Sequence, residues 1–210
     1  MRPALSAAAL LAALGAAAPA RAGDHDGLYG RFDGDLELRV AAGAALAQGG
    51  AALAAQVTAL YLCTAGVYVH YADALGAVGP RAIRSLATGL HLAPVFLARY
   101  ASNLERGPAR ADLLLDSLAF EIGPFWAEPH GARWATTPGL EIALGLAFPI
   151  LGRATGPFLG VRGALRWRPG DFVAGAGGDA LERGALLSLT LGWHHVVPSH
   201  LVDAGDGLVR

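Results

Sequence analysis

The chain of 210 residues contains one cysteine, one methionine and no lysine. A single thiol, Cys63, excludes a disulfide within the chain. An exported domain of this size would therefore need another source of stability, and a closed hydrogen-bonded sheet is one. All 16 basic residues are arginine. They form no basic stripe and the formal net charge is −1, which argues against nucleic-acid binding. Charge is scarce in general, with 16% Asp, Glu, Lys and Arg. The mean hydropathy of +0.42 is high for a water-soluble domain. Also missing is the unbroken apolar run of about 20 residues that a membrane helix requires. Residues 40–69 come nearest, but Gly43, Gly49, Gly50 and Gly66 make them poor helix, and Glu121, Glu141, Arg162 and Arg166 interrupt later segments. An apolar chain without such helices can still cross a membrane as a closed barrel.

What the sequence does have is alternation. Leu140, Ile142, Leu144, Leu146 and Phe148 share one parity, while Glu141, Ala143, Gly145 and Ala147 share the other. A period of two residues is that of a β-strand. Eight segments read this way: 34–46, 51–62, 66–72, 84–93, 113–126, 139–150, 158–167 and 185–196. Turn residues separate them at Gln48-Gly49-Gly50 and near Thr64-Ala65-Gly66. Longer connections fall at 74–80, 129–138 and 169–184. One segment breaks the pattern. From Pro94 to Arg106, Phe96, Leu97, Tyr100 and Leu104 are spaced for one helical face, and Gly107-Pro108 reads as the stop. The expected fold is an all-β, antiparallel up-and-down transmembrane barrel of about eight strands, ten being the alternative count, with one short helix near 95–106.

The two parities differ in a way that bears on the surroundings. One is Leu, Ile, Val and aromatic; the other is mostly Ala, Gly, Ser and Thr with an occasional charge. The second is thin for a surface facing water but suits the cramped lumen of a small barrel. Aromatic residues close the apolar parity near strand ends at Tyr61, Tyr71, Phe148, Trp167 and Trp193, where an interfacial girdle belongs. At the N-terminus, Arg2, the Ala/Leu-rich run from Ala4 to Ala18 and the small-x-small triplet Ala20-Arg21-Ala22 read as a secretory signal, residues 1–22. Residues 23–210 then form a single barrel domain with a polar tail over 197–210.

With signal, alternation and girdle together, the chain resembles the small outer-membrane barrel proteins of Gram-negative bacteria over residues 30–196. The resemblance implies export to the outer membrane, with outer-membrane lipid and the barrel-assembly machinery as partners. Proteins of that class usually end at an aromatic residue on the last strand; this chain runs on through Pro198-Ser199-His200 to Arg210. The resemblance is one of class and carries over no functional residue.

The inward parity supplies the candidate site. Arg39, His91, Glu121, Glu141, Arg162 and Arg166 are expected to meet as a polar network in the lumen, since charges there are costly unless paired. Such a network either plugs the barrel or lines a narrow pore. The expected role is non-enzymatic: structural, adhesive or a narrow pore. A lipid-modifying barrel enzyme and a soluble periplasmic barrel holding an apolar ligand are the alternatives. The enzyme would need Ser117 or Ser188 beside His91, because Ser188 and His194 lie about 20 Å apart along one strand. His194 and His195 point to opposite faces, so no metal site is expected there, and no cofactor is called for. Arg99, Arg106 and Arg110 with Glu105, Asp112 and Asp116 read as a solvated face with local ion pairs, or as a helix lying on the barrel mouth or membrane surface. Cys63 reads as a small apolar filler near a turn.

Overall fold

A computed structural model describes residues 29–47, 50–74, 82–104, 107–129, 133–168 and 184–199. The expected signal at 1–22, the tail beyond 199 and most of the loop at 169–184 lie outside the described residues. Eight antiparallel strands close into one barrel in chain order. They are β1 (Leu36–Ala47), β2 (Gly50–Tyr61), β3 (Ala65–Asp73), β4 (Ala82–Leu92), β5 (Ala119–Pro129), β6 (Gly139–Pro149), β7 (Gly156–Trp167) and β8 (Gly184–Val197). Closure pairs β8 with β1, from Leu36↔Val197 to Ala47↔Leu186. No sheet edge remains.

The register fixes the shape. Cross-strand partners run from Glu37 to Leu60, Gly66, His91, Glu121, Ala143, Ala164 and Leu186, and return to β1 at Ala47. The path closes ten residues further along β1, so the shear is ten for eight strands. That stagger tilts the strands by about 40° and leaves an interior that side chains can fill.

Two short helices lie between β4 and β5, where the sequence pattern suggested one. Helix α1 spans Pro94–Ala101 and α2 spans Ala109–Asp116. The fifth strand therefore starts at Ala119 and not at 113. The run Leu113-Leu114-Leu115 belongs to α2, its apolar residues being too few to separate a helix turn from a strand start. Helix α1 also stops earlier than Gly107-Pro108. Asn103 takes the left-handed conformation (φ 51°). Its N–H bonds Tyr100 O at 3.0 Å and the Leu104 N–H bonds Arg99 O at 2.9 Å. This is the Schellman arrangement, with Asn in the place usually held by Gly.

The turn expected at 64–66 sits at Leu62-Cys63, both with positive φ (49° and 57°). Positive φ at both central residues is the mark of a type I′ turn, which normally signals itself by Asn-Gly; in this chain it sits in a three-residue loop, 62–64, between the paired Tyr61 and Ala65. Here the strained pair is held from outside: the Leu62 N–H donates to Asp35 O at 2.7 Å and the Cys63 thiol to Arg31 O at 3.6 Å.

The barrel has two unlike ends. At the terminus end lie residues 29–35, Pro198-Ser199, the turns at 62–64 and 150–155, and both helices. The connections after β1, β3, β5 and β7 leave from the opposite, loop end. Inward side chains pack in layers: Ala45, Ala54, Ala143, Ala164 and Leu186 toward the loop end, and Ala41, Ala147 and Phe158 toward the terminus end.

Candidate functional site

The parity read from the sequence is the parity of the barrel. Leu144 is 59% exposed and Ala143 is 2% exposed. Glu121, Glu141, His91 and Arg162 are all buried in the lumen. On the outer face, Leu46, Leu53, Val57, Val67, Leu90, Leu146, Val161 and Leu189 stand exposed. Outward charges occur on the strands only near the loop end, where Arg84 reaches Asp73 at 3.3 Å and Glu128 at 3.4 Å. Of the aromatic set, Tyr61, Phe148 and Trp193 lie toward the terminus end and Tyr71 and Trp167 toward the loop end; Trp126 of β5 joins the second group. Thr88 is polar and outward, but its hydroxyl donates to Tyr68 O at 2.8 Å.

Inside, five of the six expected residues meet. Arg162 Nε donates to Glu121 at 2.6 Å and its Nη2 to Glu141 at 2.5 Å. Arg166 Nε donates to the other oxygen of Glu141 at 2.6 Å. His91 Nδ1 lies 2.9 Å from Glu121. The register explains why: Glu141 and Arg166 are direct partners across β6 and β7, and His91 faces Glu121 across β4 and β5. Arg39 stands apart. It donates to Glu37 at 2.5 and 3.1 Å, two residues back on the same face of β1.

Three groups absent from the expected network complete it. The Tyr68 hydroxyl donates to Glu141 at 3.2 Å, Gln56 Nε2 to Glu121 at 2.8 Å, and Arg166 Nη1 to Ser85 at 3.0 Å. The guanidinium of Arg162 also lies over the Tyr68 ring at 5.4 Å, and that of Arg166 over Phe125 at 5.0 Å. All four residues sit on the inward parity, but neutral side chains on that face give no charge signal. Two cations thus balance two carboxylates, and each carboxylate oxygen has at least one donor.

Between this network and the terminus end is a cavity of about 50 Å³, lined by Thr58, His91, Ser117, Gly145, Arg162 and Thr190 among others. It has room for a few waters. His91 Nε2 and Arg162 Nη1 have no hydrogen-bond partner among the described residues. Glu121 and His91 resemble the orienting half of a catalytic triad. The nucleophile is not in place: Ser117 donates its hydroxyl to Leu114 O at 2.7 Å and accepts from the Ala147 N–H at 2.8 Å. Ser188 donates to Arg162 O at 3.4 Å. Cys63 is buried. Burial and the Glu37 carboxylate push its thiol well above the ordinary range, so it is no nucleophile either. Among the described residues no three His, Cys, Asp or Glu gather as metal ligands.

The terminus end is closed by a second ion-pair cluster, which corrects the expectation of a solvated face. Asp112 and Asp116 are buried. Arg31 donates to Asp116 at 2.6 Å, and Arg99 binds Asp116 at 2.7 Å and also Asp112. Tyr29 donates its hydroxyl to Asp112 at 2.9 Å and the Gly107 N–H does so at 3.0 Å. Burial alone would raise the Asp112 carboxyl, but the Arg99 and Tyr29 hydrogen bonds and the Arg99 charge outweigh it and hold it below the usual range. Arg110 stays exposed, and Glu105 and Arg106 lie outside the described residues. Leu113 of α2 packs on Ala154 and Val196, so α2 caps the lumen.

Compared with known proteins, the chain matches no family model and no curated relative.

Proposed function

We propose that the chain is a non-enzymatic barrel spanning the outer membrane, with a lumen closed by its own ion pairs and a structural or adhesive role at the loop end. The observation that carries this is the contrast between faces: every strand residue charged and inward is paired, while the outer face is apolar between two aromatic groups. The height fits as well. From Pro157 to Trp167, β7 rises about 33 Å along the strand. At a tilt of about 40° that is about 25 Å along the axis, the height of the apolar band on outer-membrane barrels. Among the described residues no helix is long and apolar enough to cross a membrane; strands are the element that could.

The closed lumen favours a structural over a pore-forming role. Glu121 and Arg162 lie in the middle of the lumen, Glu141 and Arg166 lie nearer the loop end beside the Ala- and Leu-lined layer, and α2 lies below. A soluble barrel would invert the outer face. Leu144→Arg separates the two readings. On a surface in water the change is within about 0.5 kcal/mol of neutral; facing lipid near mid-strand it costs about 2–4 kcal/mol. The expected result is that wild type fractionates with the outer membrane and shifts in gel mobility on boiling, while Leu144→Arg loses both properties. A variant that folds as well as wild type and stays in the periplasm would end the spanning reading.

A further inference from the structure

We propose that helix α1 is an interfacial anchor, seating Leu97, Tyr100 and Leu104 in the headgroup boundary of a phospholipid leaflet at the terminus end of the barrel. This rests on the reading that the barrel spans a bilayer. Leu97 and Tyr100, spaced i and i+3, are neighbours on the surface of α1, and Leu104 follows its C-terminal cap; the three are 48%, 46% and 62% exposed. One edge of that face is fixed to the protein. Phe96 is buried on Phe32, with ring centroids 5.7 Å apart and the Arg31 guanidinium 4.4 Å from its own, and the half-exposed Tyr100 ring meets Phe32 edge-on at 5.3 Å. Arg99, the one charged residue of α1, is neutralised by Asp112 and Asp116. The helix cannot roll to hide its stripe without breaking those contacts.

Continuity with the outer face says what covers the stripe. Only Ala93 separates α1 from Leu92, an exposed outward residue at the end of β4. Leu92 pairs with Phe120 of β5, and Leu118, exposed and of the same outward parity, leads into β5 where the helices return. The apolar outer band of β4 and β5 thus runs directly into the chain that carries the stripe. A helix whose apolar side holds Leu and Tyr and whose single charge is already paired lies in the interface plane at little cost.

The test uses the full mature chain refolded into phosphatidylcholine–phosphatidylethanolamine vesicles, with an environment-sensitive thiol fluorophore placed singly at Leu97→Cys, Leu144→Cys or Arg110→Cys. The buried Cys63 takes up no label, which unmutated protein controls. Lipids brominated near the carbonyl should quench the label at 97 more than lipids brominated at the chain end, and the order should reverse at 144. The label at 110 should respond to aqueous iodide alone. Quenching of 144 by bromolipid with 97 open to iodide would overturn the anchor and leave the span standing. A label at 97 shielded from both quenchers would also overturn it, and would point to a protein covering the stripe. Loss of bromolipid quenching at 144 as well would mean that the spanning reading itself has failed.

Discussion

Two ion-pair clusters stand one above the other in this molecule, and they are built in opposite ways. The lumen network joins strands whose register brings its members together: Glu141 faces Arg166 across neighbouring strands, and Glu121 faces His91. Its geometry is a property of the closed sheet. The cap cluster joins Tyr29 and Arg31 to α1 and α2, with no hydrogen-bonded ladder between them. Its members meet because Asp112 collects donors from Arg99, Tyr29 and the Gly107 N–H, and Asp116 from Arg31 and Arg99. The first cluster should therefore fail with the barrel, and the second should fail alone.

The largest effect is expected at Glu141. Glu141→Ala takes the carboxylate from both arginines, but unequally. Arg162 keeps Glu121, whereas Arg166 keeps only Ser85 and the Phe125 ring. Leaving a buried guanidinium without its anion costs about 3–5 kcal/mol. Adding Arg166→Ala should recover much of that loss, and adding Arg162→Ala should recover less, since it strands Glu121 in turn. Urea unfolding of the three variants in one detergent measures this. Losses that simply add would show that the pairs are not coupled, and the plug would reduce to separate contacts.

Asp116→Asn should have a smaller and more local effect. Arg31 and Arg99 both lose a charged acceptor, at about 1–3 kcal/mol. Hydrogen exchange should rise over 94–116 with the strands unchanged. Acid should do the same through Asp112. Its folded value lies below its ordinary one, so its contribution is complete above about pH 4 and is lost as pH falls through the depressed value. Amides of α1 and α2 should lose protection at a higher pH than those of β6 and β7. Simultaneous loss would make cap and barrel one cooperative unit.

The same contrast explains what could be read from the residues. Parity along β6 and β7 placed Glu141, Arg162 and Arg166 in the lumen because one barrel face is buried and a slip of one residue would invert it. The register that selects Arg166 as the partner of Glu141 was not legible, since parity orders faces and not heights. Arg39 shows the cost: its partner is Glu37, two residues away on the same strand face and visible as such. The cap was hidden for a different reason. Asp112 and Asp116 sit in a short segment whose composition is that of a solvated helix, and their burial depends on Tyr29 and Arg31 more than 80 residues earlier.

The smallest effect belongs to the cavity that separates the clusters, and glycines measure how tightly the lumen is filled. A methyl group on Gly123 would come within 1.9 Å of Thr88 O, on the neighbouring strand, so that glycine is required by close approach of backbone. On Gly145 the nearest atom would be Val161 O at 3.9 Å, and the residue lines the cavity. Its φ is not left-handed. Gly145→Ala therefore removes freedom from the unfolded chain without strain in the folded one, which should stabilise the barrel by about 0.4–1 kcal/mol. If Gly145→Ala proves destabilising, the waters it displaces are bound by His91 and Arg162 as part of the network, and the two clusters are joined through them instead of being separated by a gap.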